Sequence, residues 1–260
     1  MCARLFDDAD TQYLNFGTAL IDEPPFTMCC WVNLDDDGII HTVMWSGDKD
    51  QTNRFHCLQV SGSGGTVRAV SVAGNTGIAS SGTGWTINNW HHAGGVWPNA
   101  DSRTAYLDGV AGTEDTTATS AVNTDTFDIG RSGDSTPVQY TSGLLAELAV
   151  WDVALTDAEM AILAKGFSPL LVRPQSLAMY VPGVREQASG DDRDLVRGAA
   201  FASNGAAGAV GTGNHPRIIY PQAYHLGLAA AAAAPEGDPE GPLVGGKLVG
   251  RGLLGGRLAA

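Results

Sequence analysis

Residues 26–34 read FTMCCWVNL. Side chains of an extended chain alternate between two faces, so Phe26, Met28, Cys30 and Val32 fall on one side and Thr27, Cys29, Trp31 and Asn33 on the other. The pattern predicts a β-strand covered mainly on one face. Cys29 and Cys30 point to opposite faces of it, and with Cys2 and Cys57 they lack the paired spacing of a zinc site. They read as reduced thiols made in a cytosol, with a bridge from Cys57 to one of the adjacent pair as the geometric alternative.

Working outward, similar segments recur. TQYLNF (11–16), IIHTVMWS (39–46), RFHCLQVS (54–61), TVRAVSVA (66–73), WHHAGGVW (90–97), RTAYLDG (103–109), TFDIGR (126–131) and LLAELAVW (144–151) are short β-rich runs broken by Gly, Asn and Asp. Their spacing predicts an all-β sandwich or jelly roll. The 260 residues suffice for one large β-domain or two small ones, 43% of them are hydrophobic, and 34 glycines beside a charged fraction of 17% suit many tight turns.

After the strands comes one short helix. Thr156 and Glu159 form a capping box in TDAE, Gly166 ends the helix, and Ala158, Ile162 and Leu163 supply an apolar stripe that should lie against the sandwich edge. SLAMYVPG (176–183) reads as a further strand, 183–198 as a polar excursion, and order is expected to decrease beyond it.

A net charge of −13 argues against a nucleic-acid partner, because phosphate binding needs Lys and Arg to displace counterions. The first residues, MCARLFDDADTQYLNF, carry early acids and no apolar core of secretory length, and no stretch is apolar enough to span a bilayer. No phosphate-cradling loop and no nucleophile elbow is present in the sequence.

Three blocks together resemble the laminin-G-like (LamG) domains of the concanavalin A-like lectin/glucanase superfamily: FTMCCWVNL (26–34), WHHAGGVWPNADSRTAYLDGV (90–110) and FDIGRSGDSTPVQYTSGLLAELAVWDVALTDAEMAIL (127–163). The resemblance spans about residues 3–166 and implies a jelly-roll sandwich of two curved antiparallel sheets. In many members a strand like LAMYVPG precedes the domain. Here it follows, which implies that Ser176 to Arg197 completes the sandwich from the C-terminal side, so that 1–166 and 167–228 form one folded unit.

The superfamily includes retaining glucanases, whose two carboxylates stand about 5 Å apart on one strand. Glu147 and Asp152 have an odd offset and should face opposite ways, so no enzyme is expected. His91 and His92, as strand neighbours, cannot chelate one ion, and the resemblance assigns the WHH block a structural role. LamG and pentraxin relatives often bind calcium. In GDKDQTN (47–53), Asp48, Asp50 and Asn53 offer the hard oxygens that Ca²⁺ takes, with solvated turn acids as the alternative. Asp35, Asp36 and Asp37 read as a turn. Family members use the tryptophans matching Trp90 and Trp97 in the core, which leaves Trp85 as the candidate platform for a sugar.

The chain closes on an Ala/Pro/Gly stretch, 229–242, and a Gly/Leu-rich basic arm, 243–260, in which GGKL recurs as GGRL. Leu243, Val244, Leu248, Leu253, Leu254 and Leu258 are poorly placed in water, while Lys247, Arg251 and Arg257 suit an acidic neighbour. A LamG-like jelly roll with such an arm resembles phage and prophage virion proteins in layout, a fold-level analogy. The leading expectation is a non-enzymatic virion structural protein, a capsid decoration or cement-type subunit held by its arm to copies of itself or other virion proteins. A lectin-like module of a tail or fibre, binding host glycans, is the alternative.

Overall fold

A computed structural model describes residues 2–183, 192–204 and 212–221, all within one compact unit that ends at Pro221. The arm at 243–260 and the linker before it lie outside the described residues.

The strands are β1 (Cys2–Phe6), β2 (Tyr13–Asn15), β3 (Phe26–Leu34), β4 (Ile40–Gly47), β5 (Arg54–Ser61), β6 (Thr66–Ala73), β7 (Asn75–Ser80), β8 (His91–Asn99), β9 (Ser102–Leu107), β10 (Val110–Ala111), β11 (Thr126–Ile129) and β12 (Gly143–Trp151). Helix α1 (Asp157–Ala164) follows, then β13 (Leu177–Val181), β14 (Asp192–Arg193), β15 (Ala200–Asn204) and β16 (Thr212–Asn214). They form two antiparallel sheets. The first runs β10-β9-β8-β3-β12-β1-β16 with β13 also paired to β12; the second runs β14-β15-β2-β11-β4-β5-β6-β7. This is the two-sheet architecture of a concanavalin A-like jelly roll, as the strand spacing predicted.

The inter-sheet core follows the period-two alternation. Phe26, Met28, Cys30 and Val32 of β3 meet Met44, Leu58, Val60 and Phe127 of the second sheet. Cys29 lies instead in a second cluster on the outer side of the first sheet, with Trp151, Met160, Leu163 and Tyr180. Cys57 belongs to a third, on the outer side of the second sheet, with Trp45 and Val70. The three cysteines therefore sit in three separate environments as free thiols, which removes the bridge alternative for Cys57.

The second cluster corrects two expectations. The outer face of β3 is not open throughout: Thr27 and Cys29 are buried, because the chain from Val153 to Leu177 packs over them. Thr27 donates to Val153 O at 2.8 Å and accepts from Leu155 N at 3.0 Å, fixing the start of that cover. Helix α1 has the predicted capping box, yet it buries Met160 and Leu163 and leaves Ala158 and Ile162 exposed. It lies over the outer face of the first sheet at its β8–β10 end, against the edge strand and the turn at Gly109. Gly94 on β8 permits this, since a Cβ there would come within 2.2 Å of Met160 Cε. In a helix of eight residues several stripes of equal apolarity exist, and the facing glycine selects one.

Between the two sheets a charge is buried. Arg103 on β9 is fully enclosed, and its guanidinium lies against Gly77 on β7 of the other sheet. It pairs with Asp115 and donates to Ala100 O at 2.8 Å and Thr117 O at 2.9 Å. A methyl at position 77 would occupy the space of Nη1.

Candidate functional site

Register across the second sheet aligns Asn15, Asp128, Trp45, Cys57, Val70 and Ile78 in one row on the outer face. The row is polar at the β2–β11 end and apolar at the β6–β7 end. Its acidic member, Asp128, is fully buried. Burial raises its pKa, and the Arg131 guanidinium and the Asn15 amide oppose that rise. Arg131 donates to Asp128 Oδ2 at 2.7 Å, and its guanidinium carbon stands 3.3 Å from the Tyr13 ring centroid. The cation stacks on Tyr13, whose ring lies tilted against that of Tyr140 with centroids 6.5 Å apart.

The loop between β11 and β12 lies over this face, with Gly133 close to the Trp45 ring. Gln139 anchors it: its carbonyl accepts from Thr42 N at 3.0 Å, and its side-chain oxygen accepts from Thr42 Oγ1 at 2.9 Å and Gln59 Nε2 at 2.8 Å. Gln139 adopts a positive φ of 56° to do so. Beside it Asp8, Ile39, Ile40, Gln139 and Tyr140 line a groove of about 440 Å³ where β4 begins. None of these five was singled out from the sequence. They come from three stretches distant in the chain, the β1–β2 turn, the start of β4 and the loop before β12, and only the tertiary fold brings them together.

Trp85, the sequence candidate for a sugar platform, is 5% exposed and part of the inter-sheet core, so that assignment is corrected. The backbone amides of Gly84 and Trp85 reach Gly65 O, which draws the turn after β7 inward and carries the indole into the core. Trp97 is buried as expected, stacked on Phe26 at 4.6 Å, whereas Trp90 is half-buried.

At the far end of β4 lies an acidic corner. Carboxylate oxygens of Asp48, Asp50 and Asp125 fall within 4.8 Å of one another and could hold a metal ion. Two of the three were anticipated. Asp125, which precedes β11, joins them because its amide donates to Gly47 O at 2.9 Å, and Asn53 is exposed on the same turn as Asp48 and Asp50. Lys49 Nζ sits among these groups, 2.7 Å from Asp50 and 3.0 Å from Asp125. The residues from Ile40 to Asp48 place this corner about 27 Å along the strand from the groove.

The histidine pair is divided. His91 Nδ1 meets Asp108 Oδ2 at 2.8 Å, while His92 is buried edge-on to Trp31 at 5.5 Å. Burial lowers the pKa of His92 to about 4; burial, then the nearby Arg103 charge, lower that of His56 to about 3. Both fold as neutral rings and are free to protonate when unfolded. Their contribution to stability is therefore full above pH ~6.5 and falls by about 1.4 kcal/mol per histidine per pH unit below it. Urea denaturation from pH 7 to 5 is expected to record that slope, reduced by about half in His56→Gln.

Glu147 and Asp152 do not form a catalytic pair: Asp152 is exposed beyond the strand, and Glu147 is enclosed. A bulge in β12 and a φ of 56° at Glu147 turn its side chain to the outer side of the first sheet. There it accepts from the hydroxyls of Tyr180 and Tyr220, each at 2.7 Å. His215 Nε2 is 3.2 Å away with the geometry of an ion pair, not of a hydrogen bond.

The comparisons with known proteins agree with this architecture. No curated protein matches the sequence. Among solved structures, a Bacteroides ovatus protein assigned to carbohydrate binding superposes with a TM-score of 0.57 at 18% identity, covering 79% of this chain and 59% of its own. A heptameric SAP-like pentraxin of Limulus polyphemus gives 0.51 at 19% identity, covering 63% and 80%. The CBM40 of a Ruminococcus gnavus sialidase, solved with α2,3-sialyllactose, gives 0.50 at 12% identity, covering 56% and 84%. At such identities the likeness concerns the fold. Residues 8–161, more than half of the chain, match the Laminin_G_3 family, and the protein therefore belongs to the concanavalin A-like lectin/glucanases superfamily.

Proposed function

We propose that this protein is a non-catalytic glycan-binding module whose ligand lies in the groove where β4 begins. The observation that carries the reading is Tyr140 lining that groove together with Asp8, its ring backed by Tyr13 under the Arg131 guanidinium and its neighbour Gln139 pinned to Thr42 and Gln59. An aromatic ring offers a surface for the apolar face of a sugar, and a carboxylate accepts from its hydroxyls. Rigid placement matters because a preorganised site loses little entropy on binding. The carbohydrate-binding neighbours support the same class of ligand.

Charge narrows it. Arg131 is spent on Asp128, and Asp8 has no cationic partner among the described residues. Neutral oligosaccharides are expected to bind better than their sialylated counterparts on a glycan array, and Tyr140→Ala to weaken the best binder about tenfold by calorimetry. Absence of any binding at millimolar sugar would remove the reading.

The assembly reading rests on the sequence of residues 243–260. In it the arm of a virion subunit engages neighbouring copies or other virion proteins. Light scattering on the full chain and on one ending at residue 242 tests it, with loss of self-association in the shorter chain as the expected result.

A further inference from the structure

We infer that Lys49 is the built-in cation of the corner formed by Asp48, Asp50 and Asp125, so that this chain dispenses with the calcium ion its family resemblance implies there. The inference is independent of the glycan reading. It starts from the oxygens. Ca²⁺ takes six to eight of them at about 2.3–2.6 Å, with charged carboxylates supplying most of the attraction. Here the carboxylates are already engaged from within the chain. Asp48 Oδ1 accepts from Asp50 N at 2.9 Å and Asp125 Oδ1 accepts from Lys49 N at 3.0 Å. Asp50 Oδ2 and Asp125 Oδ2 accept from Lys49 Nζ, at 2.7 and 3.0 Å.

An ammonium has three donors and one compact positive charge, which suits it to sit between two carboxylates that would otherwise repel each other. Its tether gives it a large advantage over an ion drawn from solution, because its effective concentration at the corner is set by four methylenes and not by the bulk. The hydrogen bonds to Asp50 and then Asp125 also raise the Lys49 pKa, in keeping with two carboxylates that stabilise the charged form. These exposed pairs link the β4–β5 turn to the segment that leads into β11, where Asp125 N also donates to Gly47 O at 2.9 Å.

The experiment uses the full chain and its Lys49→Met and Lys49→Gln variants, titrated with CaCl₂ at constant ionic strength and followed by calorimetry and thermal melting. The wild type is expected to show no saturable binding and no rise in Tm up to about 10 mM. Both variants, left with three carboxylates and no ammonium, are expected to bind Ca²⁺ with a Kd of about 10⁻⁴–10⁻³ M, the range of weak protein sites, reversibly on addition of a chelator. Sub-millimolar binding by the wild type that is lost in Asp50→Asn would overturn the inference. So would variants that gain nothing, since Lys49 would then not be what keeps the ion out. Neither result bears on whether sugars bind the groove.

Discussion

Asp115→Ala is expected to destabilise the fold by about 3–5 kcal/mol, the usual penalty for leaving one half of a buried ion pair behind. Arg103 cannot escape to water, because its side chain is fully enclosed between the sheets and its guanidinium abuts Gly77. Two of its bonds, to Ala100 O and Thr117 O, survive the substitution, but the compensating charge does not. Chemical denaturation reads the loss directly. Asp115→Asn retains an acceptor and should fall between the two. Arg103→Met in the Asp115→Ala background removes the stranded charge and should recover much of the stability, as apolar replacement of buried pairs often does. A single Asp115→Ala variant within about 1 kcal/mol of wild type would mean that the pair is solvated.

The second large effect belongs to Glu147→Ala. It removes two hydrogen bonds from phenols to a carboxylate, each worth about 1.5–3 kcal/mol, and leaves Tyr180 and His215 buried without that partner. Losses of about 3–5 kcal/mol are expected, concentrated where residues 212–221 meet the first sheet. Hydrogen exchange should therefore show faster opening of β16 and of the Phe167–Ile219 bridge than of β3 or β12. The pH dependence carries a sign. Burial alone would lower the His215 pKa, but Glu147 and the Pro216 carbonyl outweigh it, and the net shift is upward. A raised pKa contributes stability that is full below the ordinary histidine value of ~6.5 and fades as pH rises through the raised one. Docking of this segment is thus expected to loosen on the alkaline side, opposite to the acid loss from His56 and His92. Glu147→Ala should abolish the alkaline component and leave the acid one. An alkaline loss that persists in the variant would assign it to another group.

Alternation within single segments was legible without coordinates. FTMCCWVNL (26–34) placed Phe26, Met28, Cys30 and Val32 in the core, and TDAE (156–159) placed the start of α1, because both signals act within a few residues along the chain. The acidic turn was half legible. Asp48 and Asp50 share it, but Asp125 arrives from a loop more than seventy residues away. The groove was not legible at all, since Asp8, Ile40 and Tyr140 share no local pattern.

Three misreadings have a common origin. Trp85 looked like a loop aromatic, α1 like a helix packed through Ala158 and Ile162 as well as Leu163, and Glu147 like one position in an even alternation. In each case a feature elsewhere in the molecule decided the outcome: the Gly65 carbonyl that draws the turn inward, the bare Gly94 backbone under Met160, and the bulge that rotates Glu147 toward Tyr180 and Tyr220. The amino-acid sequence by itself determined the longer strands from β2 to β13, the inward face of β3 and the family, because period-two patterning is local and depends only on neighbouring residues, whereas β1, β7 and β14 to β16 carry no such pattern. Which residues meet was decided only by the tertiary structure. A shift of one residue in strand register exchanges the two faces, and the groove, the Lys49 corner and the Glu147 cluster all depend on the registers that the packed core selects.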